Sequence, residues 1–355
     1  MTPKLAILLT ALGLTVLIGF LVVSPFSKAN SSIEISRRAH LTMAGDRIVT
    51  AGSIHGSTPT ADIVPSPNDS STTLEFVGDI MLARNVEQYI KLYGTEYPFA
   101  KVGDLLSNSD LLIGNFEGTV REKENIEGTN VMNFDTTPGN VSMLATQGFD
   151  LLSLSNNHAD DYGRATAELT RTTITNAGMT PFGDAWEGGK FVAHKTVNGI
   201  TFAFIGYHAF NETTAGIVEA IKLEKSAGNF VIVMPHWGVE YQHNPSSSQI
   251  FAGHQFVDAG ADAVIGGHPH VIETVETYKN VPIVYSLGNF LFDQDFSEAT
   301  KSGLAVRLTV EADKLTLKFE PLYLQKRQMM PASEEKAKQM LETLGVPTGI
   351  LEISR

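Results

Sequence analysis

The chain has no cysteine among its 355 residues. Disulfide staples and thiolate metal sites are excluded, so any metal must be held by nitrogen and oxygen ligands. Basic residues are scarce: Lys and Arg total 26 against 39 Asp and Glu, a formal charge of -13. That balance speaks against nucleic acid, which needs a basic footprint. An anionic polymer is likewise repelled at long range and needs a local cationic or metal site. Common catalytic signatures are missing as well. There is no Gly-x-Ser-x-Gly elbow, no Walker A loop and no Gly-x-Gly-x-x-Gly after the first predicted strand.

One long uncharged apolar run is present, Leu5–Val23, preceded by Lys4. Its length matches the ~20 residues that cross a bilayer. Residues 1–29 therefore read as a single-pass cell-membrane anchor, with the bulk of the chain extracytoplasmic. The alternative is a cleaved signal peptide, with Ser27-Lys28-Ala29 as a small-x-small site and a secreted product. Residues 30–71 are rich in Ser, Thr, Gly, Pro, Asn and Asp and predict a flexible spacer.

From residue 72 the texture changes, and residues 72–330 read as one α/β domain. Short, nearly all-apolar runs at 74–77, 110–113, 149–154, 201–205, 230–234 and 263–265 predict strands buried on both faces. Helix-period segments lie between them, at 86–92, 141–147, 163–177, 215–227 and 247–259. Alternation of this kind predicts a layered sheet with helices. The later segments 281–287, 304–310 and 315–324 are richer in strands and predict a second sheet packed on the first. Residues 331–355 predict a closing helix, Glu334–Leu344, and a frayed tail.

Chemistry collects where the apolar runs end, the place where open α/β sheets bind ligands. His268-Pro269-His270 follows a buried run and Gly266-Gly267, and can aim two imidazoles into one crevice as metal ligands, with a tight turn of structural histidines as the alternative. Asp79 follows Gly78 and reads as a metal carboxylate or, alone, as a helix-capping Asp. Asn115 and Glu117 stand in Gly-Asn-Phe-Glu-Gly as further ligand candidates, with a bulge or turn as the alternative. Asn156-Asn157-His158 is costly to bury unpartnered; Asn157 as an amide ligand, His158 as proton donor and Asp161 as its orienting group account for it. His236 is one more neutral ligand or a core histidine. Arg84 is a bidentate anchor for a phosphate or carboxylate, or a surface salt bridge. Asn289 and Asp293 line the same pocket or support its ligands. His243 and His254 lie outside the pattern. The implied cofactor is one or more divalent ions, with Mn, Zn or Fe suited to these donors.

These motifs, in their order and spacing from about residue 74 to 296, resemble the bacterial capsule-synthesis CapA/PgsA family. The matching signatures run from Gly78-Asp79-Ile80-Met81 through Gly114-Asn115-Phe116-Glu117 and Asn156-Asn157-His158 to His268-Pro269-His270-Val271 and Gly288-Asn289-Phe290. The resemblance implies a role in making, moving or releasing poly-γ-glutamate or a similar anionic envelope polymer. It also implies membrane synthase subunits as partners and a lipid bilayer holding the N-terminal segment. The family is in turn similar to calcineurin-like metallophosphoesterases, which implies a four-layer α-β-β-α sandwich with metals between two sheets. Carried over, Asp79, Asn115 or Glu117, Asn157, His236, His268 and His270 take ligand positions, and His158 that of the proton donor. Two positions depart. Met81 stands where those enzymes carry a first-motif His, and Asn115 or Glu117 replaces a bridging Asp. The expected activity is metal-assisted hydrolysis; the alternative is a non-catalytic subunit that binds polymer or scaffolds the synthase.

Overall fold

The computed structural model describes residues 71–122, 132, 134–187 and 189–355. The expected anchor, residues 1–29, and all but the last residue of the expected spacer lie outside the described residues. Among the described residues no helix is long and apolar enough to cross a membrane.

Two sheets form the centre. The larger has nine strands, with the path Gln328–Pro331, Lys314–Gln325, Ser302–Val310, Thr72–Ile80, Leu111–Phe116, Leu151–Ser153 and Thr180–Phe182. Asn289–Leu291 pairs with Thr72–Ile80 off this path, and Ile350–Ser354 with Lys314–Gln325. The smaller sheet runs Val275–Tyr278, Val281–Val284, Ala263–Ile265, Phe230–His236, Ile200–His208 and Ala193–Val197.

Strand alternation sorts the apolar residues into three cores. Phe230, Ile232 and Met234 point one way and pack with Leu74, Phe76, Leu111 and Ile113 of the larger sheet. Val231 and Val233 point the other way, onto Ile217, Ile221 and Phe256 of the helices Thr214–Ser226 and Ser247–Ala259. On the far face of the larger sheet, Val77, Leu112 and Leu152 pack on Val86, Val141, Leu144 and Ile174. Those four come from the helices Arg84–Tyr93, Pro138–Thr146 and Arg164–Asn176. The layers are therefore helix, sheet, sheet, helix. Strands buried on both faces are why their sequences read as unbroken apolar runs. Helix ends also follow local chemistry. Ser246 and Gln249 form a capping box at the start of Ser247–Ala259, and Gly260 closes it in the left-handed region.

The partition of strands differs from the sequence expectation. Of the late strands, Val281–Val284 joins the smaller sheet, but Ser302–Val310 and Lys314–Gln325 do not. Ser302–Val310 pairs antiparallel with Thr72–Ile80 and extends the larger sheet, while the middle of the chain builds the smaller one. Periodicity identifies strands but carries no pairing information. The tail also differs. Residues 350–354 form an edge strand whose Ile353 is buried, and Met340, Leu344 and Val346 join the core between the sheets. Residues 331–355 thus belong to the same fold as 72–330.

Parallel pairing then places the site. Thr72–Ile80, Leu111–Phe116 and Leu151–Ser153 run in one direction, with Asp79 opposite Asn115 and Asn115 opposite Ser153. In the smaller sheet His208 lies opposite His236. The carboxyl ends of both sheets meet at one edge.

Candidate metal centre

Asp79, Glu117 and His236 are buried and offer ligand atoms within 4.8 Å of one another. Around Glu117 the convergence is tighter. The Nε2 atoms of His158, His236 and His270 lie 4.0, 3.9 and 3.8 Å from its Oε1. Ligand atoms so spaced can share an ion at the usual ~2.0–2.2 Å from each. Both oxygens of Glu117 are buried without a hydrogen-bond partner among the described residues. A lone ionised carboxylate removed from water is very costly, so such a group calls for a cation.

Each neighbour is held by a second contact. His236 Nε2 lies 2.7 Å from Asn157 Oδ1 and 3.1 Å from His268 Nδ1. The backbone N–H of His268 donates to Asp79 Oδ2 at 3.1 Å. His270 Nδ1 faces Asn289 Oδ1 at 3.0 Å and Asp79 Oδ2 at 3.4 Å. Both oxygens accept, so Nδ1 is a donor, and once a cation displaces any second proton Nε2 can present its lone pair toward Glu117, the tautomer a metal ligand needs. His268 and His270 have φ of 96° and 57°, a strained pair typical of functional turns. Gly267 leaves room for Asp79, since a Cβ there would sit 2.6 Å from Asp79 Oδ1.

Burial pushes the Glu117 carboxyl well above its usual range and the His236 imidazole well below its own. Burial also holds His268 down, to about 3. At His270 burial opposes the charge, but the Glu117 and Asp79 carboxylates outweigh it and push the ring up to about 9. Without a cation, Glu117 and His270 between them retain a proton that a bound divalent ion would displace.

The remaining expected residues fall into place around this core. Asn115 Nδ2 donates to Asp79 Oδ1 at 2.8 Å and reaches His236 Nδ1 at 3.2 Å, while its Oδ1 accepts from Asn156 at 3.0 Å. In that orientation Asn115 joins Asp79 to His236, and its oxygen is taken up by Asn156. His158 Nδ1 pairs with Asp161 Oδ2 at 2.9 Å, and the Phe134 backbone N–H donates to the same oxygen at 2.7 Å. The Phe134 ring stacks on His158 with centroids 3.7 Å apart. Asn289, expected at the substrate, is 1% exposed and sits behind His270, with its Nδ2 donating to Thr300 O. Arg84 is ion-paired with Asp293, lies 4.5 Å over the Phe134 ring and keeps 28% of its side chain exposed. Met81 is fully buried in the outer core, and its sulfur accepts from the Ala83 N–H at 3.0 Å. His243 and His254 lie apart, contacting Ile272 O and Glu276.

One histidine escaped the sequence reading. His208 ends the strand beside His236, with ring centroids 6.4 Å apart, and is 1% exposed. Its Nδ1 donates to Ala185 O at 3.2 Å, and Nε2 is buried without a partner among the described residues. The signal was available, because Phe-Ile-Gly-Tyr-His repeats the pattern of an apolar run closed by a polar residue.

With this geometry in view, relatives can be compared. Over 290 residues the chain is 31% identical to the capsule biosynthesis protein CapA of Bacillus anthracis, covering 74% of this chain and 69% of that one. Over 260 residues it is 32% identical to the PGA biosynthesis protein CapA of Bacillus subtilis, covering 68% of each. Among solved structures, TT1561 of Thermus thermophilus is matched at 9% identity and a TM-score of 0.41, covering 72% of this chain and 100% of that one. That likeness is too distant to argue from. The profile of the bacterial capsule synthesis protein family PGA_cap matches residues 73–294, which include every residue of the centre described above. The chain is a member of that family.

Proposed function

We propose that this protein is a metal-dependent hydrolase acting on poly-γ-glutamate or a closely related anionic polymer during capsule synthesis. The relatives' names supply the pathway. The observation that carries the chemistry is the orphaned, fully buried Glu117 carboxylate facing three imidazole Nε2 atoms. Asp79, Glu117, His236 and His270 would hold the ion, with Asn157 and His268 within reach of the same space. A bound divalent ion supplies Lewis acidity and lowers the pKa of water, making a nucleophile at neutral pH.

The chain's own groups do the rest. Asp161 accepts from His158 Nδ1, which leaves Nε2 free to take a proton from water and return it to the leaving nitrogen. Phe134 and its N–H keep that imidazole and Asp161 in place. Arg84, backed by Asp293, puts a partly exposed guanidinium on the rim, suited to a polymer carboxylate. The N-terminal run Leu5–Val23 would hold this domain at the outer face of the membrane, beside the synthase.

A second reading has one observation in its favour. Met81 occupies the position of a metallophosphoesterase ligand and is turned into the core, which suits a binding or scaffolding subunit. Purified protein decides between them. Near-stoichiometric metal, together with chelator-sensitive shortening of poly-γ-glutamate, supports the hydrolase. Metal-free protein that binds polymer without cutting it supports the subunit.

A further inference from the structure

Large apolar side chains are exposed around the mouth of the metal centre. Phe210 is 50% exposed, and its ring lies 4.6 Å from that of His268. Tyr241 is 40% exposed, and its ring lies 6.3 Å from that of His270. Phe296, 66% exposed, packs edge-on against Tyr241 at 5.2 Å. Phe210 thus stands beside one imidazole of the His268-Pro269-His270 turn, and the Tyr241–Phe296 pair beside the other. Tyr241 is fixed to that turn, because its N–H donates to Pro269 O at 2.8 Å and its hydroxyl accepts from Gln294 at 3.2 Å. Its φ of 64° is a strained conformation kept at the rim. Exposed apolar groups gathered at a site mark a binding surface.

We propose that Phe210, Tyr241 and Phe296 form a clamp that recognises the main-chain ethylene and amide of a γ-linked glutamyl polymer on either side of the metal centre. This rests on the hydrolase reading above and names how its substrate is selected. The occupant follows from chemistry. In a γ-linked chain two methylenes lie between successive amides along the backbone, and the carboxylate hangs from the remaining carbon. In an α-linked chain one carbon separates the amides, and the methylenes carry the carboxylate outward. Aromatic faces pack well on methylenes and amide planes, and their negative π-faces are poor neighbours for carboxylates. Exposed Glu240, next to Tyr241, repels carboxylates from that wall as well. The γ-linked backbone can lie between the rings while its carboxylates turn to solvent and to Arg84.

The test uses the full chain in detergent and calorimetric titration with γ-linked and α-linked glutamate oligomers of equal length, at matched salt. Wild type is expected to bind the γ-linked oligomer more tightly. Phe210→Ala and the double variant Tyr241→Ala with Phe296→Ala should each weaken γ-linked binding about tenfold, from the loss of buried ring surface. The α-linked affinity and the metal content should not change. Equal affinity of wild type for both polymers overturns the clamp, and so does unchanged γ-linked binding in both aromatic variants. Metal-bearing wild type that binds γ-linked oligomer while the alanine variants match it sinks the clamp alone. Wild type that holds no metal and binds neither polymer sinks the hydrolase reading with it.

Discussion

The two sheets bring different chemistry to their shared edge. The nine-stranded sheet supplies oxygen: Asp79, Asn115, Glu117, Asn156 and Asn157, with His158 on the same loop. The six-stranded sheet supplies imidazole: His208, His236, His268 and His270. Neither set is a site alone. Glu117 has no hydrogen-bond partner among the described residues, and two of the three imidazoles that face it, His236 and His270, come from across the gap. Glu75, equally buried on the larger sheet, makes the contrast. Its Oε2 accepts from Arg307 at 2.8 Å within that sheet, so its charge is matched at home, although its Oε1 is buried without a hydrogen-bond partner among the described residues. A buried carboxylate paired with an arginine at home is accounted for by the fold, whereas one left open toward a foreign sheet is the stronger candidate for holding an ion.

The sharpest break in this comparison separates proton transfer from ligation. His158→Ala should lower polymer cleavage by about 10²–10⁴-fold, the usual contribution of a general acid–base group. Metal content by atomic emission should stay at the wild-type level, since His158 sits at the more exposed side of the cluster. Loss of metal together with activity would move His158 into the ligand set.

Removing the oxygen side comes next. Glu117→Gln should weaken metal affinity by at least about 100-fold, more than the 10–100-fold typical of groups that only support ligands. Chelator-treated Glu117→Gln should also be more stable to urea than chelator-treated wild type, because the variant buries no ionisable group there. His270→Ala should match its metal loss from the other sheet, and His243→Ala should bind metal normally. Equal stability of the two metal-free proteins would mean that Glu117 has a protein partner.

A structural change should leave the centre alone. Leu344 is fully buried in the core between the sheets, far along the chain from any ligand. Leu344→Ala should cost about 2–4 kcal/mol in urea unfolding with metal affinity unchanged. A coupled loss of metal would show that the C-terminal helix helps align the two sheets.

The smallest effect concerns pH. Glu273 lies in the smaller sheet's half, accepts from Gln249 at 2.7 Å, and is raised by burial to about 7. Its folded value exceeds the unfolded one, so the folded state holds the extra proton between about 4.5 and 7. Stability contributed by the neutral acid is full below that window and falls as pH rises through it. Glu273→Gln should remove up to about 3 kcal/mol of that slope. Parallel urea midpoints at pH 4.5 and 8 for both proteins would contradict the assignment.

Much of this was legible beforehand, for identifiable reasons. Helix 247–259 was readable to the residue because Ser246, Gln249 and Gly260 are local signals. That Asp79, Glu117, His236 and His270 converge was suggested by their places, since each closes or closely follows an apolar run. The role of Asn115 was not, since its orientation depends on Asp79, His236 and Asn156 at once. His208 carries the same local signal as His236, an apolar run closed by a histidine, and only the pairing of their strands shows that the two belong together. The sheet membership of 302–310 and 350–354 was hidden because pairing is decided by neighbours distant in sequence.

The amino-acid sequence by itself determined most strands and helices, the family, and that any metal ligands are nitrogen and oxygen, since each rests on local pattern or on residue type in order. Only the tertiary structure decided which strands share a sheet and which side chains lie across from each other. It alone left Glu117 without a hydrogen-bond partner among the described residues and set Phe210, Tyr241 and Phe296 beside the His268-Pro269-His270 turn. Those are distances between segments up to two hundred residues apart, and no local pattern encodes them.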